Sequence, residues 1–193
     1  MNGNCREIDE GARLPRGFYN RDTVTVAREL LGKWLVHRAD GRCRAGRIVE
    51  VEAYLGPGDL AAHTSRGRTK RTAVMFGPPG HAYVYLIYGI HHCMNVVTGP
   101  EDSGTAVLLR ALEPVCNLGD NTHGPGRLCK AMGIDLRHYG ADLCGDELFL
   151  LRPPSEPAIE IVSRPRIGVD YAGEWAKKPL RFYVRGSGFV SRK

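Results

Sequence analysis

Long apolar runs are missing from this chain. Within its 193 residues the longest, such as 106–109 and 111–112, are separated by Arg110. None approaches the roughly 20 residues that a membrane-spanning helix needs, so no membrane association is expected. The N-terminus, MNGNCREIDEGARLPRG, has no apolar core and does not read as a secretory signal. Residues 1–17 are expected to form a poorly ordered lead-in, and residues 18–193 one domain with a single core. Repeats and low-complexity segments are absent. Lysine is scarce, 6 residues against 21 arginines. The six cysteines (Cys5, Cys43, Cys93, Cys116, Cys129, Cys144) include no CxxC pair. Without a secretory signal, reduced thiols are expected rather than a disulfide framework. Neither Cys116, His123 and Cys129 nor His91, His92 and Cys93 has a zinc spacing, so no metal is expected, and no motif asks for a cofactor.

What the chain does have is positive charge. A net charge of +6 and a pI near 9.1 point to a polyanionic partner. The competing reading is a basic surface with no specific partner. Arginine suits bidentate contact with phosphate.

Local patterns predict a mixed α+β domain around a curved, mostly antiparallel sheet flanked by helices. Asp22 caps a helix that runs to Leu31 and is closed by Gly32. Strands are expected at 34–37, 46–51, 81–88, 92–98, 105–112, 148–151, 159–162 and 181–184. Residues 88–91 form a hairpin tip. Between 55 and 79, GPGD, SRGRTKR and GPPG break regular structure. A short helix begins after Pro125 and ends at Gly133, and a helical turn covers 174–178.

Chemistry concentrates between Arg47 and Asn95. Residues two apart on a strand share a face, so Glu50 and Glu52 are expected side by side. They read either as two catalytic carboxylates or, for Glu50, as a surface salt-bridge partner. Glu52 stands where a strand gives way to a loop, a common place for a working residue. Tyr83 and Tyr85 share a strand face and read first as core. Tyr88 falls on the opposite face beside the turn, where an exposed aromatic suits insertion into a base stack. His63 reads either as a turn residue bonded to backbone or as part of a site. Asn95, in an apolar strand, needs partners if buried. Arg110 should pair with a carboxylate, Glu52 being the attractive candidate. Arg66, Arg68, Lys70 and Arg71 are either a solvated charge run or phosphate contacts.

At these residues the sequence resembles the alkyladenine (3-methyladenine) DNA glycosylase family. The segments RIVEVEAYLGPGDLAAH, YVYLIYG with the following CMN, AVLLRALEP, GPGRLCKAMGI and RIGVDYAGEWAKKPLRFYVRGS occur in family order from about Arg13 onward. The resemblance implies a monomeric, monofunctional enzyme of base-excision repair. Such an enzyme flips an alkylated or deaminated purine out of double-stranded DNA and hydrolyses its N-glycosidic bond, leaving an abasic site. It implies Glu52 as general base for water, with Arg110 and the backbone carbonyl of Ile167 holding that water. Tyr54, His63 and Tyr85 become the base pocket, Asn95 the residue that crowds the amine of normal guanine, and Tyr88 the wedge. The enzyme would then work where the DNA is, in the cytoplasm and nucleoid of a bacterium or the nucleus of a eukaryote, and would not be secreted. Three segments depart from the pattern: His91-His92 in place of aromatics, a lengthened 99–103 loop, and a shortened 113–124 stretch. Two other readings remain: an O-glycoside hydrolase using Glu50 and Glu52, and a non-catalytic nucleic-acid-binding module whose tyrosines only stack on bases.

Overall fold

The computed structural model describes Ile8 and residues 12–193. Among the described residues nine strands form one sheet: β1 (Ala12–Arg13), β2 (Trp34–Ala39), β3 (Arg42–Tyr54), β4 (Ala82–Ile87), β5 (His91–Thr98), β6 (Thr105–Cys116), β7 (Leu148–Arg152), β8 (Ile161–Arg164) and β9 (Arg181–Val184). Four helices bounded by described residues accompany it: α1 (Arg16–Tyr19), α2 (Thr23–Leu30), α3 (Pro125–Met132) and α4 (Glu174–Lys177). The main path runs β1-β7-β2-β3-β6-β5-β4, while β9 pairs with β3 and with β8. Every strand pair among the described residues is antiparallel, which makes this an α+β domain.

The helices form where local chemistry predicts. Asp22 accepts from the Thr25 N–H at the start of α2. Pro125 opens α3, and Gly133 ends it in the left-handed conformation at φ +73°. The apolar stripes of both helices, Val26, Ala27 and Leu30 on one and Leu128, Cys129 and Met132 on the other, lie in the main core. No helix among the described residues is long and apolar enough to cross a membrane.

Described residues within the expected lead-in are placed against the fold, and Ile8 is buried in a small core cluster with Trp34 and Phe149. Ala12 and Arg13 already pair with Arg152 and Leu151, and α1 begins at Arg16. Residues 1–7 and 9–11 of that lead-in lie outside the described residues. The expectation of reduced thiols also needs correction. Cys43, Cys93, Cys129 and Cys144 are free, but Cys116 is disulfide-bonded. Cys5 lies outside the described residues.

The central strand, β3, runs seven residues longer than the apolar pattern shows, because both its edges are covered. β2 pairs with its first half and β9 with its second half, while β6 runs along the other edge. Three register shifts interrupt the β3–β6 ladder, one near its start between Ala45 and Gly46 and two around Glu50. Val49 is the extra residue on β3 and Arg110 the extra residue on β6. A bulge of this kind re-aims side chains. Ile48, Val49, Val51 and Ala53 therefore all enter the helix-covered core, while Glu50 and Glu52 face the other way.

Candidate active site

The face of the sheet away from α2 and α3 carries the chemistry, and strand alternation assigns its members. On β4, Ala82 and Val84 join the main core while Tyr83, Tyr85 and Ile87 line a cavity. On β5, Met94 and Val96 are core, and Cys93 and Asn95 line the cavity. On β6, Val107, Leu109 and Ala111 are core, and Leu108 and Arg110 line it. Tyr83, Asn95, Leu108 and Glu52 stand opposite one another in a single row across four strands. The cavity measures about 390 Å³, the size of a small-molecule site.

Glu52 is fully buried behind this wall. Its Oε1 accepts from the Ile167 N–H at 2.8 Å, and its Oε2 accepts from the Tyr54 hydroxyl at 2.9 Å. Arg110 Nη1 lies 3.3 Å from Oε2. Desolvation pushes the Glu52 carboxyl above its ordinary range, opposed by Arg110 and the two donors. Tyr54 rises well above its own range through burial and the neighbouring carboxylate, which keeps it a proton donor. Arg110, Tyr54 and Ile167 themselves border the cavity. Among the described residues Oε1 accepts only from Ile167, so it retains capacity for a further donor.

Glu50 is not a surface salt-bridge partner: it is fully buried. Its Oε1 takes Arg110 Nε at 3.1 Å and Arg181 Nη1 at 3.0 Å, and its Oε2 takes the Ser191 N–H at 2.7 Å. The carboxylate pairing expected of Arg110 is present twice over. The bulge at Arg110 sets its guanidinium between the two glutamates, and both charges hold it protonated despite desolvation.

The aromatic wall is cross-braced. His63 opens a 3-10 turn (His63–Arg66), and its Nδ1 meets the Tyr83 hydroxyl at 2.9 Å rather than a backbone group. Its ring crosses that of Tyr85 with centroids 4.6 Å apart. Desolvation and the nearby Arg71 charge bring His63 down to about 4, so the imidazole is neutral at neutral pH. Asn95 donates one amide hydrogen to the Tyr83 carbonyl at 3.1 Å and borders the cavity. Tyr83 is both core and site. It packs with Met75 and Val97, while its hydroxyl orients His63.

Tyr88 lies on the same side as Tyr85, not the opposite one, because it belongs to the turn and not to the strand. Its φ of +53° and that of Gly89 at +71° suit the tight hairpin closed by Ile90 N–H to Ile87 O. The ring is 86% exposed at the mouth of the cavity.

The basic loop divides in two. Arg68 pairs with Asp102 at 2.7 Å and donates to the Phe76 carbonyl, tying the 99–103 loop to this segment. Arg71 lies over the Tyr85 ring at 5.0 Å. Arg66 and Lys70 are exposed. The shortened 113–124 stretch folds back on β6, where the Thr122 hydroxyl donates to the Leu112 carbonyl and His123 bridges to Ala111. His91 packs against Gly126 at the start of α3.

One part of the site had no sequence signal strong enough to find it. Asp59 and Arg166 form a bidentate pair with both side chains fully buried. Arg166 also donates to the Ala53 carbonyl and lies 4.7 Å beneath the Tyr54 ring. It thereby fixes Tyr54 on one side and, as the residue preceding Ile167, the donor to Glu52 on the other. The turn residue Asp59 in GPGD was the only hint.

A family model described as methylpurine-DNA glycosylase matches residues 17–188. The chain belongs to the methylpurine-DNA glycosylase family. Proteins of Legionella pneumophila (strain Corby), Anaeromyxobacter dehalogenans (strain 2CP-1) and Myxococcus xanthus (strain DK1622) are each named "Putative 3-methyladenine DNA glycosylase". They are 56%, 58% and 57% identical to it respectively, over 93% of this chain and 98%, 86% and 93% of their own lengths. The match spans every strand of the cavity, so the site lies wholly within the family's region.

Proposed function

We propose that the protein is a monofunctional DNA glycosylase that excises alkylated or deaminated purines from double-stranded DNA by hydrolysis. The observation that carries this reading is the buried Glu52 carboxylate, clamped by Tyr54, Arg110 and Ile167 directly behind an aromatic cavity. Glu52 acts as general base, taking a proton from water that reaches Oε1 beside Ile167. Its raised affinity for protons suits that task. Arg110 and the Ile167 carbonyl hold the water. A ring-alkylated purine is cationic and leaves readily, so one oriented carboxylate suffices for it.

The purine is extruded from the duplex and received between Tyr54, His63 and Tyr85, whose π faces favour a cationic ring. Asn95 crowds the exocyclic amine of normal guanine. Tyr88 fills the gap left in the stack, a role its exposure and its place at a rigid turn support. The protein acts as a monomer, with phosphates met by the basic loop. The O-glycoside hydrolase reading loses its second carboxylate, since Glu50 is fully engaged by two arginines and a backbone N–H.

Release of free base from a methylated duplex, with undamaged duplex as control, tests the proposal. Release of 3-methyladenine by wild type, absent with Glu52→Gln, is expected. Duplex binding without release by the wild type would favour the non-catalytic module instead.

A further inference from the structure

Remote from the cavity, where β2 meets β7, three side chains from distant parts of the sequence converge. His37 on β2, His138 at the end of the 3-10 turn Leu136–His138, and Glu147 just before β7 each bring one donor atom within 4.8 Å of the others. Both imidazoles are buried, while the Glu147 side chain is 68% exposed. The two Nε2 atoms are 3.1 Å apart, and Glu147 Oε1 lies 3.7 Å from one and 3.8 Å from the other. The geometry points to a metal site of the zinc class, with His37 Nε2, His138 Nε2 and Glu147 Oε1 as ligands and a fourth position open to solvent.

The spacing fits. Two nitrogens at about 2.0–2.1 Å from one tetrahedral ion lie roughly 3.3 Å from each other, close to what the imidazoles already adopt. The ring centroids are 4.8 Å apart at 87°. That is closer than a head-on contact of two ring nitrogens gives, so the two Nε2 atoms do not point straight at each other. Glu147 needs to move in by a few tenths of an ångström on a flexible, exposed side chain.

The outer contacts fit as well. His37 Nδ1 lies 2.7 Å from the Met132 carbonyl, which can only accept. Its hydrogen is therefore on Nδ1, and Nε2 presents a bare lone pair, the form a metal binds. His138 Nδ1 faces the Asp135 carbonyl at 3.3 Å and the Asp135 carboxylate at 3.6 Å, the partners that hold a ligating imidazole. The same nitrogen is 3.2 Å from the Asp135 N–H, which selects the other tautomer. In that state His138 donates from Nε2 to His37; metal binding moves its proton to Nδ1, so the ion replaces that bond and the one from the Asp135 N–H, and Nδ1–H turns to the Asp135 carbonyl. None of the three ligands borders the cavity. The ion would clip the segment between α3 and β7 onto β2, and its binding energy would add to folding stability. Sequence spacing conceals the site because its ligands stand at 37, 138 and 147.

The test uses the full-length chain, stripped with chelator and titrated with Zn(II) against a competing chromophoric chelator, with Co(II) as spectroscopic probe. One equivalent of Zn(II), a raised Tm, and a Co(II) spectrum with ligand-field bands but no thiolate charge-transfer band are expected. Glu147→Gln, at an exposed side chain that the fold does not need, should weaken Zn(II) by more than about tenfold. Loss of even an outer contact of a metal ligand commonly costs about 10–100-fold. His138→Gln should abolish stoichiometric binding. No Zn(II) uptake by the wild type, equal affinity in both variants, or a thiolate band from Co(II) would each overturn the assignment.

Discussion

The Tyr54 hydroxyl donates to Oε2 of Glu52, two residues earlier on the same strand, at 2.9 Å. With Ile167 on the other oxygen, this fixes the carboxylate in one orientation inside a site that raises its proton affinity. Glu52→Gln should therefore separate activity from stability. Base release should fall by at least about 100-fold, the usual contribution of general base catalysis. Stability at pH 7 should not fall. A carboxyl raised above its ordinary 4.5 contributes stability at pH values below that point and loses it as pH rises through the folded value. The neutral amide escapes that loss, so any gain in Tm should shrink on acidification toward pH 4.5. Thermal melts across pH check this, and a variant less stable than wild type at pH 7 would contradict it.

Glu50→Gln should behave in the opposite way. Removing this charge leaves Arg181 without its carboxylate and Arg110 with only Glu52. Breaking a buried ion pair from one side costs about 3–5 kcal/mol, less where an amide keeps part of the hydrogen bonding. Denaturant unfolding should show a clear loss of stability, while residual folded enzyme keeps measurable base release because Glu52 is intact. Complete inactivity of folded Glu50→Gln would restore the two-carboxylate reading.

Tyr88 carries a strain that its neighbours do not require. A tyrosine at φ +53° costs about 1–2 kcal/mol relative to glycine, which adopts this conformation freely. Its ring is 86% exposed, so little packing offsets that cost. Tyr88→Gly should raise stability by about 1 kcal/mol while reducing excision and duplex binding. If stability falls instead, the ring is buried by contacts in solution and the wedge role loses its support.

Strand alternation and punctuation made much of this fold legible before any coordinates. Asp22, Gly32, Pro125 and Gly133 mark helix ends through strictly local chemistry, and Tyr83, Tyr85 and Asn95 alternate cleanly. The failures share one cause, which is that the deciding contact is distant in sequence. Glu50 reads as a surface residue until Arg181 and Ser191, far along the chain, close over it. Arg166 has no visible role until Asp59 meets it. Two bulges at Val49 and Arg110 change which faces the side chains take, and no local pattern announces them. β1 is only two residues long, too short for periodicity to register.

The basic loop yields a graded expectation. Arg66 and Lys70 are exposed, whereas Arg68 is held by Asp102 and Phe76. Each phosphate contact contributes about 0.9 to the slope of log affinity against log salt. Neutralising Arg66 and Lys70 together should flatten that slope by about two units. Arg68→Gln should change the slope less and the stability of the 99–103 loop more. Fluorescence anisotropy over a salt series measures both, and an unchanged slope in the double variant would return these residues to a solvated surface.

The nucleophile is the last point that can be tested. A glycosylase that also cleaves the strand attacks the sugar with an amine and passes through a Schiff base. This chain offers six lysines, and none borders the cavity. Lys33 is paired with Glu156, and Lys177 with Glu174. Lys178 lies over the Trp175 ring at 3.4 Å. Lys70 is the lysine nearest in sequence to His63, but it is exposed, and its backbone carbonyl accepts from Tyr139. Arginine stays protonated and cannot serve as the nucleophile. The expected attacking group is then water activated by Glu52, and the expected product is an intact strand carrying an abasic site. Incubation with a lesion-bearing duplex and borohydride should trap no covalent adduct, and strand breaks should appear only after alkali. A trapped adduct that is lost in Lys70→Ala would replace the hydrolytic mechanism with an amine-dependent one.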